Sequence, residues 1–303
     1  MKYIVEWIEA LQNRSLSRRQ MIEACSLTAA AALVPSVAID GAIKATWCNH
    51  YTYVAPDLKK TRDWYHEVYG MQIGHEEAKL SHMWFGDKGG DTLMIIRQAN
   101  PGEVAPRVER FAFTVENWDK KAIDAELKRR GLQGKAEGDK GFWIKDPDGL
   151  EFGLFAKDYV KRPAAKADKP ALWKALSVNH TVNYSPNYRQ VANWYKDLLN
   201  LRETHDSGRD TYQWYGDSVW IPTTMRPDGK SSAALNSLDH VAYTIENYHK
   251  EDVKAELDRR NLNPKVDTDL SFNCVDINGF KMQVCDKQLV PVAEKRPPRG
   301  GER

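Results

Sequence analysis

An α+β fold of tandem βαβββ modules, arranged as two homologous copies, is what this 303-residue sequence predicts. Three observations lead there. The stretch CNHYTYVAPDLKKTRDWYHEVYGM from Cys48 recurs as VNHTVNYSPNYRQVANWYKDLLNL from Val178, so His50 and His180, Trp64 and Trp194, and Tyr65 and Tyr195 each lie 130 residues apart. The same interval relates Trp84-Phe85-Gly86-Asp87 to Trp214-Tyr215-Gly216-Asp217, and Ala112–Asn117 to Ala242–Asn247, with no insertion called for. Each copy also repeats one order of strand-like and helix-like patterns. A self-similar interval of this length is one supersecondary design written twice.

The elements follow in order. A short strand carries the histidine, His50–Val54 or His180–Tyr184. Beyond Pro56 or Pro186 the apolar period becomes helical, with Trp64 and Val68 in one copy and Val191, Tyr195 and Leu198 in the other. Two or three strands come next, Thr92–Ile96 among them, followed by a strand at Phe111–Val115 or Val241–Ile245. A second helix covers about Lys120–Arg130 or Glu251–Arg260. The copy closes on a hairpin around Asp146-Pro147-Asp148-Gly149 or Asp276-Ile277-Asn278-Gly279, whose Asp-Gly and Asn-Gly pairs suit positive backbone angles. Each copy is thus two βαβββ halves, expected to form curved mixed sheets wrapped around a cavity.

Domain limits follow from the repeat. Residues 1–45 form an export signal and leader, 46–160 the N-terminal copy, 161–173 a linker, 174–290 the C-terminal copy, and 291–303 a disordered basic tail. The linker KRPAAKADKPA is charged and rich in Ala and Pro, without apolar periodicity. In the leader, Ser17-Arg18-Arg19 precedes an apolar run from Ala24 to Ala38 that ends in small residues. That is the layout of a secretory signal, too short for a transmembrane helix. The arginine pair resembles a twin-arginine signal, which implies a periplasmic or otherwise exported protein beginning near Ile39.

Composition narrows the partners. The 44 basic and 42 acidic residues leave a net charge of only +2, with no basic stripe for nucleic acid and nothing that calls for a membrane surface. Cys48, Cys274 and Cys285 lie beyond the leader without a CxxC spacing, so buried free thiols are expected.

The histidine strand, the helix with Trp64-Tyr65 and Gly70, and the closing Asp-Pro-Asp-Gly hairpin, in this order and twice, resemble the vicinal oxygen chelate superfamily. It includes glyoxalase I, bleomycin-resistance proteins and extradiol ring-cleavage dioxygenases. The resemblance covers roughly residues 46–290, and the paired arrangement looks most like the type I extradiol dioxygenases. In those the C-terminal copy holds a metal by two histidines and a glutamate. Carried onto this chain, the ligands are His180, His240 and, where glutamate belongs, Gln283. Two imidazoles and an oxygen donor from three strands suit one face of an octahedral ion. One divalent metal ion is therefore expected, iron(II) or manganese(II) ahead of zinc(II) or nickel(II). The N-terminal copy keeps His50 but has Arg110 and Gly153 at the other two positions, with Glu151 nearby, and is expected to be structural.

The surroundings depart from the dioxygenase pattern. Asn273 stands where the resemblance implies a substrate-contacting tyrosine, and Thr223–Pro227 offers no histidine to transfer a proton or stabilise superoxide beside the metal. Acid-base work would fall to His205, Tyr243 or Asn273, with Tyr212 and Tyr215 near the mouth and His249 exposed at a helix start. Trp214, Tyr215 and Trp220 form an apolar pocket if they face inwards, and core if they do not.

Together these residues imply a metal-dependent dioxygenase-like or glyoxalase-like lyase or isomerase acting on a small, aromatic substrate with vicinal oxygens. The alternative is a metal-free periplasmic small-molecule binding protein of bleomycin-resistance type. A homo-oligomer is compatible with either.

Overall fold

A computed structural model describes residues 43–87, 90–159, 161–164, 170–224 and 238–295, all within one compact unit. The export signal up to residue 42, linker residues 165–169 and the tail from residue 296 lie outside the described residues.

The N-terminal copy runs β1 (Ala45–Ala55), α1 (Leu58–Tyr69), β2 (Gln72–Glu77), β3 (Leu80–Asp87), β4 (Gly90–Gln98), β5 (Arg107–Val115), α2 (Lys120–Arg129), β6 (Lys135–Glu137), β7 (Gly141–Lys145) and β8 (Glu151–Phe155). The C-terminal copy repeats it as β9 (Ala175–Ser185), α3 (Tyr188–Leu199), β10 (Arg202–Asp206), β11 (Thr211–Tyr215), β12 (Ser218–Thr224), β13 (Leu238–Ile245), α4 (Lys250–Arg259), β14 (Lys265–Thr268), β15 (Ser271–Val275) and β16 (Lys281–Cys285). A short helix, α5 (Leu289–Glu294), follows. It begins just before the stretch assigned from sequence to a disordered tail and occupies its first residues.

Local chemistry explains the helix ends. Asp57 caps α1 by accepting from Lys60 N, and Asn187 caps α3 by accepting from Gln190 N. Both helices stop at a left-handed residue, Gly70 at φ 62° and Asn200 at φ 51°.

Strand pairing gives β2-β3-β4-β1-β5-β8-β7-β6 in one copy and β10-β11-β12-β9-β13-β16-β15-β14 in the other. The two arrays join through a Leu238–Val108 pair into one mixed sheet, which gives the α+β fold of tandem modules expected from the sequence. Register corrects the repeat. His50 faces Leu93 on β4 and His180 faces Val219 on β12, so the interval falls from 130 to 126 at that strand. The hairpin before β12 is shorter by that amount. The interval is restored by β13, where His180 faces Ala242 as His50 faces Ala112 on β5.

The core between the copies is aromatic and reciprocal. Tyr243 lies among Tyr65, Tyr69 and Phe85 of the other copy, and Phe113, 130 residues earlier, lies among Tyr195, Tyr215 and Trp220. Such ring pairs contribute about 0.5–1.5 kcal/mol each beyond the area they bury. The closing hairpins dock crosswise as well. Asp146 accepts from Tyr195 at 3.1 Å, while Asp276 accepts from Tyr53 at 2.5 Å and Tyr65 at 3.1 Å. Burial pushes Asp146 up to about 6 against the hydrogen bonds it accepts, and raises Asp276 in the same way.

Candidate functional site

Strand alternation puts His180 and Val182 of β9 on one face of the sheet. Across β13 that face carries His240, opposite Val182, and Ala242, opposite His180. Ala242 is opposite Gln283 on β16, and Gln283 is opposite Asn273 on β15. Register alone therefore gathers His180, His240, Gln283 and Asn273.

The two imidazoles meet at their far nitrogens, with Nε2 to Nε2 3.4 Å and the rings near perpendicular at 84°. Each near nitrogen is held from behind. His180 Nδ1 lies 2.9 Å from Asn179 Oδ1, and the Asn179 amide nitrogen is spent on Thr244 Oγ1. Asn179 Oδ1 is therefore the acceptor, and His180 carries its proton on Nδ1. His240 Nδ1 donates to Asp239 Oδ2 at 2.8 Å, and Lys281 Nζ donates to the other Asp239 oxygen at 2.8 Å. Burial raises Asp239, but these hydrogen bonds outweigh it and hold the carboxyl below its ordinary range. Burial first and the neighbouring His240 second push His180 down to about 3, so it is neutral at ordinary pH. With Nδ1 occupied on both rings, two Nε2 atoms point into one space. The neutral His180 ring presents a lone pair there, facing the Nε2 of His240, and a donor from outside would satisfy it.

Gln283 Nε2 donates to Asn273 Oδ1 at 2.7 Å. The face continues beyond the imidazoles as an apolar floor of Val182, Trp214, Val219 and Ile221, with Tyr212, Val290 and Ala293 packed against it.

The expectation of a divalent metal ion at His180, His240 and Gln283 is overturned. Among the described residues no three His, Cys, Asp or Glu side chains gather in a way that could hold one. The imidazoles supply two donors, Gln283 is a neutral amide engaged with Asn273, and Asp239 is turned to His240 and Lys281. The residues present do not fit the ion.

The other candidates separate. Asn273 is beside Gln283, as its register requires. Tyr243 is on the opposite face of β13 and is core: its hydroxyl lies 2.8 Å from that of Tyr51, and it is 1% exposed. The repeat already held that answer, since its counterpart Phe113 has no hydroxyl. His205 is buried on the outer strand β10 beside Tyr212, with its ring 4.9 Å from that ring. Three strand positions separate β10 from β9, roughly 14 Å at about 4.8 Å per strand. His205 is therefore not brought to the imidazole pair. His249 is exposed at the start of α4. Trp214 faces the floor, whereas Tyr215 and Trp220 belong to the core between the copies. Sequence reasoning passed over Asn179 and Asp239, which fix the tautomers. The Asn-His pair kept in both copies was the available signal for the first.

The equivalent place in the N-terminal copy is closed. His50 is 1% exposed, with Trp143, Phe155 and Tyr159 around its ring at 5.4, 4.6 and 5.5 Å. Arg110 pairs with Glu151 at 2.5 Å and lies over Trp143. A side chain at Gly153 would put its Cβ 2.3 Å from the Phe155 ring. Elsewhere in that copy a cleft of about 1160 Å³ is lined by Trp47, Trp84, Trp118 and several charged residues. Arg162 pairs there with Asp91 and Lys140 with Asp158, Glu116 and Asp139 pair with Lys44 and Lys120, and the cleft lining carries no imidazole.

Comparison with known proteins agrees with this architecture. Residues 47–154 match the family model for the Glyoxalase/Bleomycin resistance protein/Dioxygenase superfamily. A glutathione transferase FosA of Serratia marcescens is 27% identical over 130 residues, covering 40% of this chain and 89% of the relative. Among solved structures, the Mn(II)-bound glyoxalase of Novosphingobium aromaticivorans superposes with TM-score 0.63 at 18% identity, covering 80% of this chain and 83% of its own. The 2,3-dioxygenase LapB of Pseudomonas sp. KL28 gives 0.62 at 15% identity over 81% and 93%. Homoprotocatechuate 2,3-dioxygenase of Brevibacterium fuscum, in complex with 3,4-dihydroxyphenylacetate, gives 0.59 at 15% identity over 81% and 82%. At such identities the structural likeness speaks for the fold alone.

Proposed function

For a chain that belongs to the vicinal oxygen chelate superfamily, we propose an acid-base role at the imidazole pair of the C-terminal copy, acting on a small molecule with two adjacent oxygens. The observation that carries this is the 3.4 Å approach of two Nε2 atoms whose Nδ1 partners are already fixed. A pair of adjacent hydroxyls supplies the missing donors. One hydroxyl hydrogen-bonds to His180, and the other gives its proton to His240 Nε2. Asp239 then stabilises the imidazolium and keeps the ring aimed. The Gln283 carbonyl and the Asn273 amide face complete the polar wall.

The test is nitrogen NMR of the histidine side chains, titrated with catechol. Both imidazoles should be Nδ1–H tautomers without ligand, and their Nε2 resonances should move on binding. An Nε2–H tautomer at His180 would sink the reading. A protein that binds but does not turn its ligand over would use the same contacts, so product formation separates enzyme from sequestering protein. We also propose export, from Ser17-Arg18-Arg19 and the apolar run after it. Replacing both arginines by lysine should leave precursor in the cytoplasm.

A further inference from the structure

The C-terminal helix lies on the floor of this site. Leu289 packs with Ala242 and Cys285 at the β13–β16 side, Val290 and Ala293 pack on Val182, Trp214, Val219 and Ile221, and Glu294 reaches Arg202 on β10 at 2.6 Å. The helix therefore crosses the face from β16 to the outer strand, past the strand carrying His180. Its hold is slight. It has six residues, including Pro291, and no side-chain cap at Gln288. A helix so short has no stability of its own. Its single ion pair is half-exposed, at 56% and 44%, where such pairs contribute little.

The other copy shows what a permanent closure looks like. Tyr159, 130 residues before Leu289, stacks on His50 and lies tilted against Phe155 with centroids 4.3 Å apart. Leu289 has no ring to stack in that way; it packs with Ala242 and Cys285, and the ring beside His180 is that of His240.

We propose that α5 is a displaceable occupant of the ligand's seat, so that the site takes a molecule with a hydroxylated head and an apolar body that replaces Val290 and Ala293 on the floor. The proposal rests on the imidazole pair being the site for the head. The floor is made only of aliphatic side chains and the Trp214 ring, and it is continuous with the polar row through the Val182–His240 and Val219–His180 pairs. A ligand engaging the imidazoles therefore meets apolar surface immediately beside them, and that surface is covered by α5. An apolar body gains the contacts the helix gives up, whereas a bare head does not.

The probes are catechol and 4-butylcatechol, titrated calorimetrically into the full chain. Val290→Asp with Ala293→Asp should release α5 and tighten 4-butylcatechol about tenfold, the factor expected when an occluded state ceases to dominate, with catechol little changed. Glu294→Ala should do the same to a smaller degree, and the exchanged pair Arg202→Glu with Glu294→Arg should return the affinity to that of the wild type. Hydrogen exchange at 289–294 should accelerate when 4-butylcatechol binds, a readout available without the double variant. Weaker binding of 4-butylcatechol in the released variant, unchanged binding, or slower exchange overturns the proposal, because α5 would then be a wall of the site or irrelevant to it. If binding is instead indifferent to His180→Ala and His240→Ala in every background, the site reading beneath it has failed.

Discussion

His50 and His180 begin from the same local arrangement and end in different chemistry. Both sit on the first strand of a copy, and both rest Nδ1 against the Oδ1 of the preceding asparagine, at 2.8 and 2.9 Å. Burial is the main reason both are pushed down to about 3. Around His50 the other positions hold Arg110, Gly153, Trp143 and Phe155; around His180 they hold His240, Gln283, Asn273 and Cys285. One histidine is walled in by aromatic rings and the other faces a second imidazole. The backbone provides a place for a site in both copies, and the side chains of three neighbouring strands decide whether it is used.

Substitutions can break that contrast, beginning with the largest effect. His50→Ala should lower stability by about 3 kcal/mol, since it leaves a cavity among Trp143, Phe155 and Tyr159, without weakening catechol binding. Denaturant melts alongside titrations would check this. Asp146 gives an effect of similar size through pH. Its folded pKa of about 6 exceeds an unfolded value near 3.9, so the folded state binds the extra proton between them. Stability should therefore be greatest below about pH 4 and decline by up to about 3 kcal/mol as pH rises through 6, counting this group alone. The slope should flatten in Asp146→Asn. Gly153→Gln, which writes the C-terminal residue into the N-terminal copy, should cost about 1–3 kcal/mol by forcing a Cβ into Phe155. Gln283→Gly in the other copy has no such ring to relieve.

Much of this was legible in the sequence because a repeat reports on itself. The interval of 130 gave the element order, the histidine strands and the crossed aromatic positions. It misled at β12, where a shortened hairpin leaves Trp214-Tyr215-Gly216-Asp217 aligned but moves everything after it by four residues until β13. His180, His240, Gln283 and Asn273 share one sheet face because register follows from alternation once the strands are known. Their expected metal was not supported, because the third position is a neutral amide and the nearby carboxylate, Asp239, is claimed by His240 and by Lys281 across the strands. Tyr243 was misplaced for a simpler reason. A strand has two faces, and a tyrosine one residue from the site face belongs to the core. Helix α5 was illegible because its apolar residues 289, 290 and 293 are too few to mark a period.

The smallest effect predicted is none at all. Treating the purified protein with a strong divalent chelator should leave catechol affinity within error, because among the described residues no third His, Cys, Asp or Glu joins the two imidazoles and Asp239 is held by His240 and Lys281. Loss of affinity restored by a divalent ion would contradict that account of Gln283 and Asp239.

The difference between the two histidines is tested most directly by one titration series: catechol into the wild type, His50→Ala and His180→Ala, followed by calorimetry at neutral pH. The account predicts that His180→Ala loses about 10- to 100-fold in affinity, the worth of one hydrogen bond to a buried imidazole acceptor whose partner is left unpaired. His50→Ala, though less stable, should bind as the wild type does. Equal affinity in wild type and His180→Ala, or a loss confined to His50→Ala, would contradict the assignment of the site to the C-terminal copy.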